Sequence, residues 1–191
     1  MRQARVLTEP ELKRLLAVVA QRKHAARDRF ALILSHLAGL RVGEIAGLIL
    51  RDVFETNGGV REQLRVRASI AKGGHERVVF MSERLRREII RYREAIPDFT
   101  GRELDAPLLL TQKRTAFSPN TLCQLMGQLY RDAGLDGASS HSGRRWFITQ
   151  LAHSGVSPKV IMTLAGHRNM TTTQRYIDVR DDMMRAAVEL L

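Results

Sequence analysis

Apolar residues return at three- and four-residue intervals through most of the chain, which predicts a mainly helical protein. Thr8-Glu9-Pro10-Glu11 reads as a capping box, and the stripe Leu12, Leu15, Leu16 and Val19 follows it at helical spacing. A second helix is expected from about Ala25 to Ala38, burying Phe30, Ile33, Leu34 and Leu37 and stopping near Gly39, with a third beginning around Val42. The period then changes. Leu64, Val66, Ala68 and Ile70 alternate with polar residues, and Arg77-Val78-Val79-Phe80 is a short apolar strand, so Lys72-Gly73-Gly74-His75-Glu76 is a hairpin connection. Asp52-Val53-Phe54-Glu55 supplies a possible third strand, turned back by Asn57-Gly58-Gly59. Helical spacing resumes after Ser82, with Leu85, Ile89 and Ile90 on the buried side, while Ile96 to Pro107 reads as a surface loop. Ser118-Pro119 and Ser157-Pro158 are helix starts of the cap-then-proline kind, a further helix follows His141, and Thr171 is placed to cap one that delivers Tyr176. The expected fold class is α+β, mainly α: a helical body with a small three-stranded antiparallel sheet at one side.

Composition narrows the partners. A chain of 191 residues can bury one substantial core, so one domain is the default. The formal charge of +11 implies a surface that attracts polyanions. Of its 31 basic residues 26 are arginine, whose planar fork suits phosphate oxygens and base edges. The single cysteine, Cys123, excludes an internal disulfide and any multi-cysteine zinc site, and its place in the pattern Leu122, Leu125, Met126, Leu129 marks it as a core thiol. Neither a signal-peptide stretch nor an apolar run of about 20 residues is present. The expected location is therefore a reducing cytoplasm, with no membrane partner.

The chemistry-bearing residues fall into three groups. Arg41 lies between Gly39 and Gly43 at the junction of two apolar helices, a poor place for a charge without partners, and Glu44 one turn later can orient it. Alone, this reads more readily as a structural Arg–Glu pair or an exposed arginine at a helix end. Lys72 sits in the glycine-rich hairpin connection, with His75 and Arg77 beyond. His141 and Arg144, three apart at a helix start, can reach one phosphate together, and Arg145 and Trp146 follow, Trp146 as a core anchor. His167 ends the run Leu164-Ala165-Gly166-His167, and Tyr176 comes nine residues later. Tyr92 and Tyr130 have no such surroundings.

In this order, these segments resemble the tyrosine recombinase, or phage integrase, family. Gly39 to Leu48 is similar to its first arginine box, Lys72 to Arg77 to its lysine hairpin, and His141 to Tyr176 to its second box. The resemblance implies a DNA strand transferase in which Tyr176 attacks a phosphodiester and stores its energy as a 3′-phosphotyrosyl bond. Arg41 and Arg144 would clamp the non-bridging oxygens, His141 and His167 would donate to them or move the phenol's proton, and Lys72 would protonate the departing 5′ oxygen. Glu44 would orient, while Arg77, Arg145 and His75 would contact DNA. Double-stranded DNA with specific recombination sites is the implied partner, bound as a homo-tetramer, with neither metal nor cofactor. The closest other readings are topoisomerase-like strand rejoining and an accessory DNA-binding protein.

Two departures carry expectations of their own. The family usually has leucine where this chain has Gly143, which should loosen local packing or leave space for another group. Only 40 residues precede Arg41, so residues 1–191 are expected to be one catalytic domain lacking the family's amino-terminal DNA-gripping domain. The apolar residues Met183, Met184, Ala187, Val188, Leu190 and Leu191 mark 178–191 as a candidate assembly segment.

Overall fold

A computed structural model describes residues 4–96, 101–176 and 181–189. The helix α1 (Glu9–Ala20) starts as its capping box dictates: Glu11 N–H donates to Thr8 Oγ1 at 3.4 Å and Thr8 N–H donates to Glu11 Oε2 at 2.9 Å. The helix α2 (Ala25–Leu37) forms the centre of the molecule, with α1, α4 (Glu83–Glu94), α5 (Pro119–Asp132) and α6 (Ser142–His153) packed around it. Its run from Phe30 to His36 is buried without interruption, so it has no solvent face along that stretch. That explains why its apolar residues are nearly continuous rather than striped. The exceptions, Ser35 and His36, are both fully buried, and His36 Nδ1 lies 2.8 Å from the Leu32 carbonyl.

Ser82, Ser118 and Ser157 each accept a backbone N–H from the first turn of the helix that follows, as the sequence predicts. The last of these helices, α7 (Pro158–Ala165), packs on α6 and carries its own small apolar cluster of Ile148, Ala152, Ile161 and Ala165. The short helix α8 (Met170–Gln174) is preceded by Asn169, not Thr171, as its cap residue. A terminal helix α9 (Asp181–Val188) exposes Met184 and Val188. Residues 178–180 and 190–191 of the expected assembly segment lie outside the described residues.

The sheet has two strands, not three. β1 (Gln63–Val66) pairs antiparallel with β2 (Arg77–Phe80), Gln63 opposite Phe80 and Val66 opposite Arg77. Leu64, Val66 and Val79 face the core, and Val78 and Phe80 face outward. The expected third strand is replaced by a 3₁₀ turn, Leu50–Asp52, and a single bridge between Phe54 and Val60. The cause is the buried Asp52 carboxylate, which accepts Ile49 N–H at 3.0 Å and is met by Arg67 Nε at 2.9 Å. A charged side chain held inward this way bends the chain out of an extended ladder. The alternation also stops early, because Ile70 turns inward to rest against Gly47, where an added Cβ would come within 2.5 Å of it.

Two further expectations are corrected. Ile90 is 37% exposed, since α4 rotates Tyr92 into the core beside Phe30 instead. Cys123 is exposed, not in the core, with Sγ 3.3 Å from Ser140 Oγ. Residues 101–107 are a surface loop as expected, none of them buried, and Leu104, Ala106 and Pro107 pair with the backbone of Ile49 to Arg51; 97–100 lie outside the described residues.

Candidate active site

Two helix ends and two helix starts converge on one cleft. The helix α2 stops at Gly39 (φ +62°), where a Cβ would run into the Phe147 ring at 2.5 Å. Leu40 is buried, and Arg41 then precedes α3 (Val42–Ala46). Arg41 donates from Nη1 to Glu44 Oε1 at 2.9 Å and from its backbone N–H to Glu44 Oε2 at 2.8 Å, while Nη2 reaches the Gly166 carbonyl at 3.3 Å. From β2, Arg77 takes the same carboxylate with both prongs at 2.5 and 2.8 Å. Burial works against the ionised Glu44, but Arg77 and Arg41 overcome it and hold the carboxyl below its usual range. Arg77 is therefore turned inward, its guanidinium committed to Glu44 and its stem covering Gly166.

Arg144 is only 4% exposed. Its Nη1 donates to the Gly39 carbonyl and its Nη2 to the Ala165 carbonyl, both at 2.5 Å. These carbonyls close α2 and α7, so the guanidinium bridges the negative ends of two helices. Burial, with Arg41 adding repulsion, still lowers its pKa to about 9. Gly143 explains itself here. A Cβ at that position would lie 2.5 Å from Ser35 Oγ and 2.7 Å from His36 Nδ1, so the side chains of α2 occupy the space a leucine would take. Packing is tightened, not loosened, and Arg144 is brought against α2.

The helix α7 ends in a Schellman motif: Gly166 (φ +63°) N–H returns to Thr163 O and His167 N–H to Met162 O, both at 3.0 Å. That turn aims the His167 ring at the cleft, where Nδ1 lies 2.9 Å from the buried Thr173 Oγ1. Partial burial, then Arg144, Arg41 and Arg77, lower the His167 pKa to about 4, so its ring is neutral near pH 7. Burial and then Arg144, Lys72 and Arg41 push His141 down as well, from its position before the first turn of α6.

Tyr176 lies just past α8. Its ring stacks on His167 with centroids 5.8 Å apart, and the Arg145 Cζ stands over the ring, 5.4 Å from its centroid. Tyr92 and Tyr130 are buried in the core, and burial raises both hydroxyls above the ordinary phenol range. Lys72 is exposed on the hairpin connection, with Gly73 and Gly74 both at positive φ. The turn is tied across the cleft by Arg168, which donates to the Gly73 carbonyl at 2.7 Å.

Arg41, Lys72, His141, Arg144, His167 and Tyr176 thus line a single cleft of about 390 Å³, together with Arg145 and Arg168. Glu44, His75 and Arg77 line an adjoining hollow that shares Arg41, Lys72 and His167. A larger hollow on the outer side of the sheet contains Arg51, Arg61, Arg65 and Arg67. Each of those is matched to a carboxylate, whereas in the cleft Arg41 alone, among the described residues, has a carboxylate partner. Arg168 and Thr173 were not singled out from sequence. Their roles depend on contacts to Gly73 and His167 that leave no local pattern. Among the described residues no group of three His, Cys, Asp or Glu side chains could hold a metal ion, and no helix is long and apolar enough to cross a membrane.

A mainly helical domain that gathers arginines, histidines, a hairpin lysine and a tyrosine around one cleft matches a known class. The family model for the phage integrase family covers residues 5–183, and the chain belongs to that family. It is 35% identical over 188 residues to tyrosine recombinase XerA of Pyrococcus horikoshii, covering 96% of this chain and 60% of that protein. Against tyrosine recombinase XerD of Neisseria meningitidis it is 31% identical over 187 residues, covering 96% of this chain and 62% of the relative. The chain therefore spans about three-fifths of the length of these relatives. Its fold is shared with a crystal structure of XerA recombinase (TM-score 0.74, 23% identity, all of this chain and 64% of that one). The Tn1549 transposon integrase in complex with a circular intermediate DNA is similar too (TM-score 0.77, 20% identity, all of this chain and 67% of that one).

Proposed function

We propose that the chain is the catalytic part of a site-specific DNA recombinase that cleaves and rejoins strands through a 3′-phosphotyrosyl intermediate. The observation that carries this reading is the single cleft that Tyr176 lines together with Arg41, Lys72, His141, Arg144 and His167. The Tyr176 hydroxyl attacks phosphorus and releases the 5′ oxygen. Arg144, preorganised by two carbonyls, and Arg41, held by Glu44, neutralise the charge that gathers on the non-bridging oxygens. A neutral His167 can accept or donate a proton at pH 7 and is aligned by Thr173. Lys72 is the proton source for the leaving oxygen, and reversal of the same steps joins a new 5′ hydroxyl. Glu44 and Arg77 together orient Arg41, and His75, on the exposed hairpin connection, is a backbone contact. None of these steps requires a metal or a nucleotide.

Double-stranded DNA carrying specific sites is the proposed partner, with the active form a homo-oligomer, a tetramer, assembled on it through 178–191. Its proposed location is the cytoplasm, on the nucleoid. The test is a nicked duplex bearing the recognition site, incubated in excess EDTA and resolved on a denaturing gel. A covalent protein–DNA band lost in Tyr176→Phe is expected, and a band of equal strength in that variant refutes the assignment. Two duplexes in one reaction then separate recombination from simple relaxation.

A further inference from the structure

From the placement of its guanidinium we infer that Arg145 is a positioning residue for Tyr176, linking the ring to the segment that leads into α1. The inference rests on the reading of Tyr176 as nucleophile. Arg145 lies one residue beyond Arg144 and looks from sequence like one more arginine for DNA. Its environment says otherwise. Nη1 donates to the Ala4 carbonyl at 2.5 Å, Nε is buried without a partner, and Cζ sits 5.4 Å from the centroid of the Tyr176 ring.

A half-buried guanidinium whose Nε is buried without a partner needs compensation, and the face of an aromatic ring provides it. The contact works in both directions. Tyr176 follows a five-residue helix by two positions, and its backbone N–H is held only by Thr173 O at 2.9 Å, so the short helix alone does little to set the ring. Arg145 projects from α6, the same rigid helix that carries Arg144, and so registers the phenol against the phosphate clamp. Its other end is fixed by Ala4, and Arg5 anchors that segment in turn through its N–H to Gly137 O at 3.1 Å. The backbone entering α1 is thereby one side chain away from the nucleophile.

The experiment uses the full chain labelled with 3-fluorotyrosine, which places a fluorine probe on its three tyrosines, Tyr92, Tyr130 and Tyr176. Tyr176→Phe assigns the third resonance, and the two core tyrosines report on folding. Without DNA, Arg145→Met should move the Tyr176 resonance and leave the other two in place. Single-turnover cleavage of bound DNA should fall roughly tenfold, the size of a desolvated cation–ring contact, with affinity unchanged and with partial recovery in Arg145→Lys. Removing residues 1–4 deletes the Ala4 carbonyl and should move the same resonance less. Arg145→Gln serves if the core resonances show that the methionine variant is misfolded. An unmoved Tyr176 resonance overturns the contact, and weaker binding with unchanged cleavage makes Arg145 a DNA contact instead. If the unsubstituted chain forms no adduct at all, the nucleophile assignment fails, while the resonance still decides whether Arg145 sets the ring.

Discussion

Arg144 and Lys72 face the same cleft from opposite mechanical situations. Arg144 is sealed between α2, α6 and α7 and is held by two helix-end carbonyls. Lys72 stands on an exposed turn with two positive-φ glycines, and among the described residues its ammonium makes no hydrogen bond or ion pair. One half of the site is assembled before substrate arrives. The other is tied across the cleft by the Arg168 bond to Gly73. In the proposed mechanism Arg144, as a phosphate clamp, gains from preorganisation, because donors already aimed at the developing charge need no reorganisation during the reaction. Lys72, as the proposed proton donor to a leaving group that departs with the strand, gains from reach.

The contrast is broken most severely at Arg144. Arg144→Ala should slow single-turnover cleavage by about a thousandfold, near 4 kcal/mol, and should lower the melting temperature as well, since the Gly39 and Ala165 carbonyls lose their partner. Lys72→Ala should slow cleavage by about a hundredfold, within the range for a general acid, and leave the melting temperature unchanged. A substrate with sulfur at the 5′ leaving position needs no proton, so it should restore Lys72→Ala and leave Arg144→Ala slow. Equal rescue of both would show that the two halves share one role.

Acid stability sharpens the buried half further. His36 is fully buried and its pKa falls to about 4 from the ordinary 6.5, because burial outweighs the Leu32 hydrogen bond. The unfolded chain therefore takes up this proton more readily, and stability present above pH 6.5 is lost as the pH falls towards 4. The loss should approach about 3 kcal/mol. Denaturant midpoints measured across that window should flatten in His36→Asn, which keeps a donor for Leu32, and an unchanged slope would exclude His36 as the source. Gly143→Ala should cost about 2 kcal/mol by overpacking against Ser35 and His36. Pairing it with Ser35→Gly should recover part of that loss, as thermal melts would report. Smallest of all, sulfate should raise the melting temperature of the unsubstituted chain more than that of Arg144→Ala. An anion relieves the repulsion from Arg41 that adds to burial in lowering the Arg144 pKa.

Much of this site is legible along the chain because its local geometry is written in local residues. Gly39 and Gly166 each adopt the positive φ that ends a helix before a proposed catalytic side chain, and capping serines set the starts of three helices. Arg77 and Arg145 are read less well. As sequence they are basic residues beside a motif, yet one is spent on Glu44 and the other on Ala4 and Tyr176. Cys123 shows the same limit on the apolar side: it has helical spacing with buried leucines, and the rotation of α5 leaves it outside.

The amino-acid sequence by itself determined most helix starts, the hairpin that carries Lys72, the set of six candidate side chains and the family. Those depend on capping, periodicity and residue type, which act within a few positions of one another. Only the tertiary structure decided which arginines remain free to meet an anion, why position 143 must be glycine, and that the third strand gives way to a turn around Asp52. Each of these is settled by partners far away in the chain. A buried charge, or a missing side chain, takes its meaning from whatever the fold brings against it.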